Sequence, residues 1–199
     1  MRFAQILPLI LASGSPRRQE LLSMAQLDFT VRVSSVDETP LAGETPQAMV
    51  ERLARLKARA VADQYPDAGV LGADTTVSLN GAILGKPEST DEARSMLQRI
   101  SGTTHEVWTA IAVVHTSTGR EVSGAFCSLV TMVPLSSADI DWYLSTGEPM
   151  DKAGAYAVQG LGGQFVRGIQ GSFSNVVGLD LVESIRMLSD IGALKAPTR

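Results

Sequence analysis

The chain has 199 residues, 44% hydrophobic and 19% charged, which allows a real core and excludes disorder throughout. A formal net charge of −4 argues against a duplex nucleic acid partner, which needs a basic face, but not against a small anion held by local cations. The single cysteine, Cys127, excludes an intramolecular disulfide and a multi-cysteine zinc site; within the apolar run 124–133 it reads as a buried small hydrophobe.

Residues 6–12 form an apolar run. With Arg2 ahead of it the run imitates a weak signal peptide, but it is short and Pro8 interrupts it, so a first buried strand is expected. No other stretch is long enough to span a membrane, and a cytoplasmic protein is the expectation. Ser15 and Pro16 suit the N-cap and first position of a helix to about residue 24. A strand is predicted over 29–33, and Thr45-Pro46 opens a long helix to about 62. Residues 70–73 form a short apolar strand. Asn80-Gly81 between 75–79 and 82–84 is a strong hairpin signal. Ser89-Thr90-Asp91-Glu92 reads as a capping box before a helix ending near 100. The segments 107–114 and 121–133 read as a long hairpin around Ser117-Thr118-Gly119. Ser136 or Ser137 caps a helix to about 144, and a last helix covers about 179–188. Seven of the 18 glycines fall between 154 and 178, which fits either a backbone that approaches something closely or tight turns alone. Strands and helices alternate, which predicts an α/β class; no repeat or linker divides the chain, so one domain over 1–199 is expected.

Chemistry concentrates in four places. The helix after Ser15 carries Arg17 and Arg18 in its first turn, where the helix dipole favours anions. Ser13-Gly14-Ser15, free N–H groups and two guanidiniums make a phosphate cradle; two solvated arginines, one paired with Glu20, are the alternative. The loop lacks the Gly-Lys-Ser/Thr ending of a Walker A motif, and a nucleotidyltransferase loop is closer in pattern. In the long helix, Lys57 lies on the apolar stripe of Val50, Leu53, Ala54 and Val61, so it needs a partner or must snorkel to solvent. Two-residue pairing at Asn80-Gly81 would run down to Thr75 opposite Lys86, with Lys86 diagonal to Asp74; the two form a catalytic pair or a structural salt bridge. Asp37-Glu38 offers further carboxylates for metal-assisted phosphate chemistry, or is a charged surface loop. His105 and His115 share no ligand spacing and read as incidental, and no Gly-x-Ser-x-Gly supports a serine hydrolase.

Together these residues resemble the Maf family of nucleoside triphosphate pyrophosphatases. The resemblance rests on Leu11-Ala12-Ser13-Gly14-Ser15-Pro16-Arg17-Arg18, Val36-Asp37-Glu38, Lys57-Ala58-Arg59-Ala60, Gly72-Ala73-Asp74-Thr75, Gly85-Lys86-Pro87, Ser101-Gly102-Thr103-Thr104-His105, Asp151-Lys152-Ala153-Gly154-Ala155-Tyr156 and Gln159-Gly160. It implies an elongated α/β fold, with flanking helices on a mixed twisted sheet and two lobes around a central cleft. It also implies hydrolysis between the α- and β-phosphates with a divalent cation, magnesium or manganese, in a cytoplasmic protein that is often a homodimer. On the family pattern Asp74 accepts a proton from the attacking water, and Asp37, Lys57 and Lys86 match other charged cleft positions. Ser13, Ser15 and Arg18 belong to the substrate loop, and Asp74, Asp37 and Glu38 are the expected metal ligands. Arg17, Thr75 and Gln159 match the branch that acts on dTTP and UTP, since a glutamine amide can both donate to and accept from a uracil or thymine edge. Asp37 stands where relatives often have Glu.

Overall fold

The protein is described by a computed structural model that covers residues 3–195. Nine strands and six helices succeed one another among them. The strands are β1 (Ala4–Gln5), β2 (Leu9–Leu11), β3 (Phe29–Val31), β4 (Gly69–Leu79), β5 (Ala82–Leu84), β6 (Thr104–His115), β7 (Arg120–Met132), β8 (Val166–Gln170) and β9 (Leu194–Lys195). The helices are α1 (Pro16–Met24), α2 (Pro46–Ala62), α3 (Thr90–Ile100), α4 (Ser137–Ser145), α5 (Phe173–Val177) and α6 (Leu181–Asp190). A seven-stranded mixed sheet has the order β3-β2-β4-β6-β7-β8, with β5 on the end of β4. The β3-β2-β4 pairs are parallel and the others antiparallel.

Period-2 alternation along the strands sorts their side chains onto two faces. Ile10, Val70, Ala110 and Ala112 pack under α2, with Val50, Leu53, Ala54 and Val61. Their neighbours Leu11, Leu71, Ile111 and Val113 face Leu21 and Leu22 of α1 and Met187 and Leu188 of α6. A separate apolar cluster at the far end joins Val77 and Val107 to Leu97, Ile100, Tyr143 and Phe165. These clusters are the centres of two lobes.

Strand β4 spans both lobes and opens the space between them. One of its edges is bonded to β6 from Val70 to Ser78. The other is bonded to β2 over 69–71 and to β5 over 77–79, which leaves 72–76 unpaired on that side. The parallel partner has ended and the hairpin partner has not yet begun.

Several expectations need correction. The strand expected over 6–12 is only β2, Leu9–Leu11: Pro8 has no N–H for a ladder, and the N–H groups of Ile6 and Leu7 bond instead to the Ala193 carbonyl. The β4–β5 ladder begins with Leu79 opposite Ala82, as the Asn80-Gly81 turn requires, but stops at Val77 opposite Leu84. Thr75 therefore never pairs with Lys86, because Gly85 turns away and its carbonyl accepts from Gly154 N at 3.0 Å. Cys127 is exposed, not buried; the apolar run it sits in is one strand of period 2, and Ser128 holds the inward position. Strand β8 and helix α5 arise inside the glycine-rich stretch, where no apolar period marks them. The capping box at Ser89 is half formed: Ser89 Oγ accepts from Glu92 N, but Glu92 reaches back to Glu88 N.

Candidate active site

A cleft of about 660 Å³ lies between the lobes at the unpaired stretch of β4. Helix α2 supplies its first charged group. Gly72 lets the helix come close, because a Cβ there would meet Ala54 O at 2.5 Å and Ala58 N at 2.6 Å. Those atoms bracket the turn that carries Lys57. Lys57 is 7% exposed, and its Nζ donates to Asp74 Oδ1 and to Glu38 Oε2, each at 2.7 Å. The lysine has partners and does not snorkel. Burial pushes the Asp74 carboxyl above the usual aspartate range, while the charges of Lys57 and Arg18 pull it back.

The loop before α1 forms an adjoining wall, with Ser13, Gly14, Ser15, Arg17 and Arg18 all lining the cleft. Ser15 is the N-cap of α1 but its side chain accepts nothing from the first turn. The other five helices among the described residues are each capped by a side chain: Thr45, Ser89, Ser136, Ser172 and Asp180. The α1 N-terminus thus faces the cleft with its donors open, as an anion cradle requires.

The two arginines differ. Arg18 uses three donors inside the protein: Nε on Gly178 O at 2.8 Å, Nη1 on Ser13 Oγ at 3.0 Å and Nη2 on Thr75 Oγ1 at 3.1 Å. Desolvation lowers its pKa, and Asp74 and Glu38 counter this. Arg18 is a strut joining three cleft walls while it also lines the cleft. Arg17, next to it, faces the cleft, and its charge helps hold the Asp151 carboxyl below its usual range, after the larger effect of Lys152. The Thr75 hydroxyl is likewise engaged, with Thr109 Oγ1 at 2.9 Å and with Gly178 O at 3.3 Å as well as with Arg18.

Lys86 lines the cleft and is exposed, without the Asp74 contact that the hairpin register implied. Gln159 is also exposed on the wall. Asp37 is the misplaced residue. Its Oδ1 accepts from Thr39 N at 2.9 Å and Thr39 Oγ1 at 2.6 Å, closing a local turn, and it does not line the cleft. Of the two expected carboxylates, Glu38 is the one that lines the cleft and reaches Lys57.

Two cleft-lining groups, and one residue behind the wall, escaped the sequence reading. Lys152 lines the wall beside Lys86 and is paired with Asp151; the Gly154–Gly85 hydrogen bond ties their two segments together. Tyr156 also lines the cleft and binds the buried His105 Nε2 through its hydroxyl at 2.8 Å, so His105 is not incidental to the wall. Glu148 fastens the segment that carries Gln159. Only the motif from Asp151 to Tyr156 pointed here, since the segment folds as short 3₁₀ turns with no period to read.

Among the described residues no cluster of three His, Cys, Asp or Glu could hold a metal ion. Glu38 and Asp74 converge on Lys57, which makes two carboxylates beside the anion cradle. Magnesium is commonly held by one or two carboxylates together with substrate phosphates, so this donor set fits a cation that arrives with a nucleotide. No helix among the described residues is long and apolar enough to cross a membrane.

The chain is 51% identical over 185 residues to a dTTP/UTP pyrophosphatase of Myxococcus xanthus (strain DK1622), covering 92% of each chain. It is 48% identical over 186 residues to a dTTP/UTP pyrophosphatase of Syntrophus aciditrophicus (strain SB), covering 94% of this chain and 91% of that one. Among solved structures, the Ham1 protein of Staphylococcus aureus is similar over 63% of this chain and 71% of its own, with 16% identity and a TM-score of 0.46. The family described as Maf-like protein matches residues 8–191, and the chain belongs to the Maf family.

Proposed function

We propose that this protein hydrolyses nucleoside triphosphates, dTTP and UTP above others, to the monophosphate and pyrophosphate. The observation that carries the reading is the buried Lys57–Asp74 pair beside an uncapped helix N-terminus, with Arg17, Lys86 and Lys152 around the same cleft. The names of the relatives in Myxococcus and Syntrophus support the substrate. Thr75 and Gln159 support the pyrimidine branch by resemblance.

In this reading the α1 N-terminus, Arg17, Lys86 and Lys152 take the triphosphate and neutralise the charge that develops on it. Asp74 accepts a hydrogen bond from the attacking water and takes its proton, and its raised pKa makes it a better base than an ordinary aspartate. Lys57 keeps Asp74 oriented, and its charge opposes the burial that raises the Asp74 pKa. A magnesium or manganese ion held by Glu38 and Asp74 would supply charge neutralisation at the phosphates and acidify water. The protein acts as a homodimer in the cytoplasm, without nucleic acid; sedimentation of the purified protein checks the assembly.

Incubation with dTTP or UTP alone, with and without magnesium or manganese, is the test. Free monophosphate and pyrophosphate, formed only with metal, are expected. A need for a second acceptor substrate would indicate a nucleotidyltransferase, and tight binding without turnover a nucleotide sensor.

A further inference from the structure

Gln159 reaches the cleft on a segment that no strand ladder holds. It is held instead by two side chains from outside the cleft. Glu148 Oε2 accepts from Leu161 N at 3.0 Å, and Oε1 accepts from Gly162 N at 2.9 Å and from the Tyr143 hydroxyl at 2.7 Å. The same hydroxyl oxygen accepts from Ala157 N at 3.1 Å. The Tyr143–Glu148 unit therefore grips the backbone two residues before Gln159 and two residues after it.

The grip is close and rigid. A Cβ at Gly160 would overlap the Glu148 carboxylate, and one at Gly162 would overlap the Tyr143 hydroxyl. Tyr143 is fully buried on α4 and packs edge-on against Phe165, with ring centroids 5.4 Å apart. Its hydroxyl cannot leave the segment without repacking that lobe. The backbone N–H groups lower the Glu148 pKa against the opposing effect of burial, so the acceptor stays charged and its hydrogen bonds are of the strong, charge-assisted kind.

We propose that Glu148, acting through Tyr143 and the backbone of 157–162, is a positioning residue for base selection. It sets the depth at which the Gln159 amide meets the nucleobase. Discrimination by hydrogen bonding needs polar groups fixed in place, because an amide free to shift accommodates the wrong base as well. The inference rests on the proposed reading of the cleft as a pyrimidine nucleoside triphosphate site.

The test compares kcat and KM for UTP, CTP, GTP and ATP in the wild type and in Glu148→Gln, Tyr143→Phe and Gln159→Ala, with thermal midpoints measured alongside. Glu148→Gln should lower the preference for UTP about tenfold, mainly through KM, leaving kcat on the poorer substrates near the wild-type value. Tyr143→Phe, which loses one hydroxyl and keeps the ring packing, should move the preference the same way by less. It keeps the test open where Glu148→Gln loosens the fold. Combining Glu148→Gln with Gln159→Ala should cost no more preference than Gln159→Ala alone. Full preference in both brace variants, while Gln159→Ala loses it, overturns the brace and leaves the substrate reading intact. Full preference in Gln159→Ala overturns the brace as well, since it acts through that residue. A wild type with no preference for UTP overturns both readings.

Discussion

Lys57 Nζ and Asp74 Oδ1 lie 2.7 Å apart, and both side chains are about nine-tenths buried. Lys57 has Glu38 as a second partner, but among the described residues Asp74 has no other carboxylate-neutralising contact at this distance, so removing Lys57 leaves a buried carboxylate without its ion pair. Lys57→Met should cost about 3 kcal/mol of stability by denaturant unfolding, and more than the double variant with Asp74→Asn. Equal costs would mean that the charges do not couple. The lysine also opposes the burial that raises the Asp74 pKa. A base must be ionised, so kcat/KM should fall as pH drops through that raised pKa, and in Lys57→Met the falling limb should move to higher pH. Asp74→Asn should lose turnover while retaining nucleotide binding, measured calorimetrically; near-normal turnover would remove Asp74 from the chemistry.

Arg17 and Arg18 are adjacent in sequence and should fail in different ways. Arg18 ties Gly178, Ser13 and Thr75 together with neutral acceptors, so Arg18→Gln should cost about 2 kcal/mol of stability and lower kcat by loosening the loop. Arg17→Ala should leave the unfolding midpoint unchanged and raise KM for the triphosphate. Identical behaviour of the two variants in both assays would refute the division.

The chain order of the elements was legible because capping residues, the Asn80-Gly81 turn and the apolar stripes act locally. The same stripes marked Lys57 as needing a partner, but the hairpin register assigned Asp74 to Lys86, and the fold pairs Asp74 with Lys57 instead. What failed was long-range. Nothing near Asp37 says that Thr39 will satisfy it while Glu38 turns to Lys57. Nothing near Arg18 reveals that its acceptors include a carbonyl 160 positions away. The hairpin register was right at Leu79 and Ala82, but its end depended on Gly85 bonding to Gly154 in the other segment. Lys152 and Glu148 were hidden for a related reason, since 3₁₀ turns bring no period that separates an inward from an outward residue.

His105 gives a pH dependence of stability that is separate from catalysis. Burial lowers its pKa to about 4 from an ordinary 6.5. The unfolded chain therefore takes up a proton before the folded one does. Stability from this residue is complete above about pH 6.5 and is lost as pH falls toward 4, by up to about 3 kcal/mol. Urea unfolding at pH 7 and pH 5 should reveal the decline, and His105→Gln, which can still bond to the Tyr156 hydroxyl, should flatten it. A slope unchanged in that variant would assign the effect to carboxylates instead.

Gly72 links packing to chemistry. It has no side chain where Ala54 O and Ala58 N approach β4, and those atoms flank Lys57 on α2. Gly72→Ala adds one methyl group that only a shift of the helix can accommodate. The overpacking should cost about 1–3 kcal/mol, because backbone atoms and not a flexible side-chain end must move. A helix displaced by a fraction of an ångström also lengthens the Lys57–Asp74 contact, and charge-assisted hydrogen bonds weaken steeply with distance. Turnover in Gly72→Ala should therefore fall further than the stability loss alone explains when measured well below the unfolding midpoint, and its pH profile should shift in the direction of Lys57→Met. A variant with lowered stability but an unshifted profile would mean that α2 yields elsewhere and leaves the pair intact.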